Sequence, residues 1–141
     1  MTVLEDNHLA LDQPLRAAVE GLLPGVFVGG FVEYMEFLDS GGDTPSVYVY
    51  YSGDSVDGRG PHQAMVKQTW EIVIASTPER VQGLADLAPH GALLATVIRG
   101  LSGLRLPGVQ ALARQPDPDA PRYGGGVLLS VLAFSATFEV R

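Results

Sequence analysis

Helices and strands alternate along this chain, and the sequence predicts a mixed helix-and-sheet fold. Three stretches carry that reading. Leu15, Val19, Leu22 and Leu23 recur at helical spacing, whereas Ala64, Val66, Trp70, Ile72 and Ile74 alternate with the polar Lys67, Thr69 and Glu71. The stretch Val127–Val140 reads as one long closing strand. With 141 residues, 46% hydrophobic and 18% charged, the composition is that of a globular chain, and disorder throughout is excluded. A single domain over 1–141 is expected, with flexible loops near 52–63 and 115–126.

The first helix is expected to start near Asp12, a favourable N-cap, with Pro14 tolerated in the first turn. Pro24-Gly25 ends it. From Val26 to Leu38 the chain is rich in Val, Phe and Tyr, which favours strand, with a bend at Gly29-Gly30. The part from Phe31 to Leu38 has apolar residues in both registers and admits either type. Ser40–Asp43 is a turn, and Val47–Tyr51 a short strand. Ser52–His62, with its glycines, aspartates and a proline, reads as a mobile loop.

After the strand Ala64–Ser76, Thr77 followed by Pro78 and Glu79 predicts a capped helix with Val81, Leu84 and Ala88 as its stripe. Pro89 inside such a helix would cost about 3 kcal/mol, which predicts a break there. A further helix follows, with Leu93, Leu94, Val97, Ile98 and Leu101 on one side. Val109–Arg114 can form a strand, and Gln115–Gly126 reads as a Pro/Gly-rich arm. In the closing strand Leu128, Leu132, Phe134, Phe138 and Val140 share one face. The opposite face is apolar only at Val127, Leu129 and Val131, which either a loop of the same chain or a neighbouring subunit would cover.

Charge is unevenly distributed. Glu5, Asp6, Asp12, Glu20, Glu33, Glu36, Asp39, Asp43, Asp54 and Asp57 face only Arg16 within the first 57 residues, a net charge of −9. The remainder holds eight bases against six acids. A soluble acidic surface is one reading; head-to-tail contact between copies is the other. The overall charge of −7, with Lys67 the only lysine, argues against nucleic-acid binding. No apolar run reaches the roughly 20 residues that span a bilayer, and Met1–Asp6 shows no secretory pattern.

Chemistry is hard to find. Without cysteine there are no disulfides, thiolate metal sites or thiol nucleophiles, which fits a reducing cytoplasm. His8, His62 and His90 share no ligand spacing. Asp54-Ser55-Val56-Asp57-Gly58 faintly resembles a calcium loop but lacks its third ligand and closing glutamate. Glu33 and Glu36 could pair as acid and base, although solvated carboxylates are the simpler reading. None of the glycine clusters is followed by the Gly-Lys-Ser/Thr of a phosphate loop, and Ser76 and Ser130 sit in no nucleophile elbow. Tyr48, Tyr50 and Tyr51 could stack on bases, but the charge beside them is negative. No enzymatic activity, cofactor or metal is expected.

The order of elements is nevertheless specific: a leading helix, the strand after Pro45-Ser46-Val47, the Trp-bearing strand Lys67–Ile74, the helix through Leu93–Leu101, a Leu106-Pro107-Gly108 connector and a long final strand. This order resembles the tail terminator (tail completion) proteins of long-tailed bacteriophages and Mu-like prophages, the lambda-type minor tail protein U group. The resemblance spans nearly the whole chain. It implies an α+β fold, a mostly antiparallel sheet with two to three helices on one face. It also implies a virion protein, assembled in the host cytoplasm, whose hexameric ring caps the tail tube at its head-proximal end, stops tube polymerisation and presents a surface to the head–tail connector. Pro89 and the arm Gln115–Gly126 depart from the family pattern. The expected partners are copies of itself, a tail tube protein and a connector protein, with no membrane and no sequence-specific nucleic acid. Candidate subunit contacts are Asp39, Asp43, Asp54 and Asp57 on the acidic side, Arg99, Arg105 and Arg122 on the basic side, and the apolar Val127, Leu129 and Val131. Another head–tail joint or tube-like ring protein fits the same features. A small cytoplasmic ligand-binding domain would instead need one pocket lined by Glu33, Glu36, His62 or Tyr51.

Overall fold

Strand pairing dominates the architecture. The computed structural model describes Leu4, residues 7–60 and residues 63–140. Helix α1 (Asp12–Leu22) leads to the short strand β1 (Phe27–Gly29), and helix α2 (Phe31–Ser40) to the long hairpin of β2 (Ser46–Gly60) and β3 (Gln63–Ser76). A two-residue pair, β4 (Arg80–Val81) and β5 (Leu84–Ala85), precedes helix α3 (Ala88–Leu101). The chain then forms β6 (Ala113–Gln115), β7 (Arg122–Gly124) and the closing β8 (Val127–Val140). The main sheet runs β1-β2-β3-β8-β6, with β7 also on β8. Only β1–β2 is parallel, so the fold is α+β with a mostly antiparallel sheet.

Helix α1 forms where its apolar spacing predicts, with Leu15 and Val19 buried. Its N-cap is Leu11, without a side-chain cap. Asp12 instead accepts from Arg16 at 2.9 Å, one turn on, an i,i+4 pair worth a few tenths of a kcal/mol. The ambiguous stretch after Gly30 is helical. The Gly30 N–H donates to Glu33 at 2.9 Å, closing the first turn, and the Gly41 N–H donates to the Phe37 carbonyl at 2.8 Å where the helix stops.

Four expectations are corrected. Ser52–Gly60 is not a loop but the outer half of β2, because β3 supplies a partner for almost every residue up to Gly60; Gly53, at φ +139°, absorbs the irregularity after Tyr51. His62 lies outside the described residues. The helix expected after Thr77 is the β4–β5 hairpin, whose turn uses Gln82 at φ +53° and Gly83 at φ +83°. Pro89 therefore breaks no helix. It sits in the first turn of α3, where no hydrogen bond needs its missing N–H, and the Ala88 N–H donates to Asp86 at 3.0 Å. Of the strand expected over Val109–Arg114, only Ala113 and Arg114 join the ladder, as part of β6, while the Gln110 N–H donates to the Thr137 carbonyl of β8 at 2.8 Å. Before it, the Gly103 and Leu112 N–H groups donate at 2.8 Å to the carbonyls of Leu112 and Leu104.

Two cores flank the sheet. On one face α1 and α3 cover Val47, Val49, Val66, Trp70, Ile72, Ile74, Leu132 and Phe134. Gly100 marks the close approach of the two helices: a Cβ there would overlap Leu22 Cδ1 and Cδ2 and stand 2.9 Å from its Cγ. The same face buries Gln68 between Val66 and Trp70. Its amide donates to the His8 carbonyl at 2.7 Å and accepts from Trp70 Nε1 at 3.1 Å, tying the segment before α1 to the sheet. Each large apolar side chain buried here contributes about 1.5–3 kcal/mol. The expectation of helices on one face holds for α1 and α3 only. Helix α2 lies on the opposite face, where Tyr34 and Phe37 join Tyr48, Val73, Ala75 and Val131.

Candidate subunit-contact surfaces

The second face is built from aromatic rings. The rings of Tyr34 and Tyr50 stack with centroids 5.5 Å apart, and Phe37 meets Tyr48 at 5.2 Å. The Tyr50 hydroxyl donates to Glu71 at 2.9 Å. Burial first, and then that carboxylate, push its pKa upward, so it remains a neutral donor. Val127, Leu129 and Val131 lie on this second face. Val131 is 7% exposed in the cluster formed with α2, and Val127 and Leu129 pack half-buried beside it.

The acidic candidates divide into two groups. Asp39 and Asp43 are exposed at the end of α2 and just after it, beside a groove of about 510 Å³ that also takes in Phe27, Glu33, Glu36 and Phe37. Asp39 accepts from the Ser40 hydroxyl at 3.4 Å, whereas Glu36 and Asp43 make no hydrogen bond or ion pair among the described residues. Asp54 and Asp57 lie on the outer half of β2. Asp54 accepts from the Tyr51 hydroxyl and stands 3.6 Å from His8 Nε2. Asp54 is opposite Gln68 and Asp57 opposite Met65, so the two carboxylates leave opposite faces of the strand and cannot converge on a cation. Among the described residues, no group of three or more His, Asp or Glu side chains could hold a metal ion.

The basic candidates also separate. Arg122 is exposed on β7 and already pairs with Asp119 at 3.5 Å, within electrostatic reach of Tyr34 of its own chain. Arg99, in the last turn of α3, and Arg105, just beyond that helix, are exposed without a hydrogen bond or ion pair among the described residues. The residues required by a ligand-binding reading do not share a pocket. Glu33 and Glu36 line the acidic groove, whereas Tyr51 lines a separate apolar cleft of about 280 Å³ with Leu9, Asp12, Phe31, Tyr50 and Trp70.

One polar cluster escaped sequence reasoning. His90 Nδ1 is 2.6 Å from Ser76 Oγ, and its Nε2 is 2.9 Å from Ser130 Oγ, all three side chains being buried. Burial holds the imidazole pKa below its ordinary value. The cluster pins the start of α3 to β3 and β8. The 14- and 40-residue separations follow no local period, which left nothing in the sequence to detect.

A model of the phage tail terminator protein family matches residues 7–141. No curated protein matches the sequence. Among solved structures, a chain from the virion of a native gene transfer agent (GTA) particle superposes with a TM-score of 0.56 at 20% identity, covering 94% of each chain, a likeness of fold. The family match takes in helices α1 to α3 and the described strands of the main sheet, and on it the chain belongs to the phage tail terminator protein family, as a structural protein of the tail.

Proposed function

We propose that this single-domain protein forms a ring, six copies in size, that caps the tail tube, stops its polymerisation and offers the surface to which the head attaches. The family match over residues 7–141 carries this reading. Its partners are further copies of itself, a tube protein and a head–tail connector, and its place is the head-proximal end of the tail. The work is done by contact surfaces and not by a reaction. Arg99 and Arg105, unpaired among the described residues, and the exposed Asp39 and Asp43 suit a seam between different patches of adjacent copies, the kind of contact a ring requires. Mass measurement of the purified protein, with imaging alone and in the presence of tail tubes, tests the proposal. Rings of one size that stop tube growth at one end are expected. Growth of tubes from the protein itself would make it a tube protein, and absence of any tube contact would refute the capping role.

A further inference from the structure

Helix α2 has two apolar faces, and the described residues of the chain cover only one of them. Tyr34 and Phe37 point into the second core, while Phe31, Val32, Met35 and Leu38 are 54, 61, 39 and 53% exposed on the outside. Phe27, 53% exposed on β1, lies in the acidic groove that flanks the helix. Single exposed apolar side chains are ordinary on any surface, but four on one short helix make an interaction surface. Its rim is acidic: the helix carries Glu33, Glu36 and Asp39 and no base, and Asp43 follows. An apolar centre with a charged rim has the anatomy of a protein–protein contact. The rim sets the partner's sign, because it repels anionic lipid and nucleic acid and favours a cationic protein surface.

We infer that the outer face of α2 is the seat for a second copy of this chain, which presents the end of its α3 with Arg99 and Arg105. This deepens, and rests on, the ring proposed above. Two observations select that occupant. Arg99 and Arg105 are exposed cations that find no partner among the described residues of their own chain. They also lie beyond the face of the sheet opposite to α2, since α3 packs on the Trp70 side and α2 on the Tyr48 side. One molecule therefore carries the acidic seat on one side and the basic insert on the other, as head-to-tail contact demands. A two-fold contact of α2 with α2 would set carboxylates against carboxylates and is disfavoured.

The test uses sedimentation of the full chain, with circular dichroism melts to confirm folding. Leu38→Asp and Val32→Asp change exposed side chains, so they should keep the fold while weakening assembly about tenfold or more. Glu36→Arg and Arg99→Glu should each weaken it roughly three- to tenfold at low salt, and the double exchange should restore it. Patch variants that keep the wild-type assembly would overturn the inference and leave the ring intact. Variants that still assemble but no longer cap tubes would assign the seat to the tube protein instead. A wild-type chain that stays monomeric at every concentration would remove the ring reading and this inference together.

Discussion

Replacing Gly100 with alanine should destabilise the protein, although alanine is the better helix former. In an open helix the exchange would gain about 1 kcal/mol. Here the added Cβ overlaps both methyl carbons of Leu22 and stands 2.9 Å from its Cγ. Rotating the methyl carbons about χ2 does not relieve the Cγ contact, which yields only when Leu22 changes its χ1 rotamer or α1 itself moves. Overpacking of this kind costs about 1–3 kcal/mol. The balance is a net loss of about 1–2 kcal/mol when the clash takes the upper part of that range. Leu22→Ala removes the obstruction, and in that background Gly100→Ala should change sign and stabilise by about 1 kcal/mol. The coupling between the two sites is then about 2–3 kcal/mol, a value expected only of residues in contact. Urea denaturation of the four variants, at one protomer concentration so that assembly contributes equally, gives the cycle. Stabilisation by Gly100→Ala in both backgrounds would refute the close approach of α1 and α3.

Two further perturbations address the buried polar groups. Burial depresses the His90 pKa below its ordinary 6.5, so the folded state binds fewer protons than the unfolded state; the contribution is present above that value and is lost as pH falls below it. Wild type should thus lose more stability between pH 7.5 and pH 5.5 than His90→Gln, and equal pH profiles would exclude His90 as the cause. Trp70→Phe removes the indole N–H that Gln68 accepts and leaves a gap in the core, a combined loss of roughly 2–4 kcal/mol. Denaturation midpoints within 0.5 kcal/mol of wild type would show that Gln68 finds another donor.

Legibility followed the range of the interactions involved. The strands Ala64–Ser76 and Val127–Val140 were readable because one deeply buried sheet face imposes a period of two on their side chains. Helix α1 was readable from Leu15 and Val19. Ser52–Gly60 misled because glycine and aspartate are loop formers locally, while the pairing with β3 that overrides them is decided elsewhere in the chain. Thr77-Pro78 misled because a helix start and a turn use the same residues. Of the candidate contacts, the charged residues could be named but not sorted. That Asp54 is engaged with Tyr51 and His8, Arg122 with Asp119, and Arg99 and Arg105 with nothing described depends on neighbours distant in sequence or on loop shape.

The sequence by itself determined the fold class, the charge asymmetry and the resemblance that the family match bears out. Those are properties of composition, period and element order, and they need no knowledge of how the elements dock. Only the tertiary structure decided that α2 crosses to the far side of the sheet, joins one core with Val131 and leaves its own outer stripe exposed. Phe31–Leu38 has apolar residues in both registers, and a period alone cannot tell a face that meets the core from one that meets water. Packing against β1 and β2 settles it.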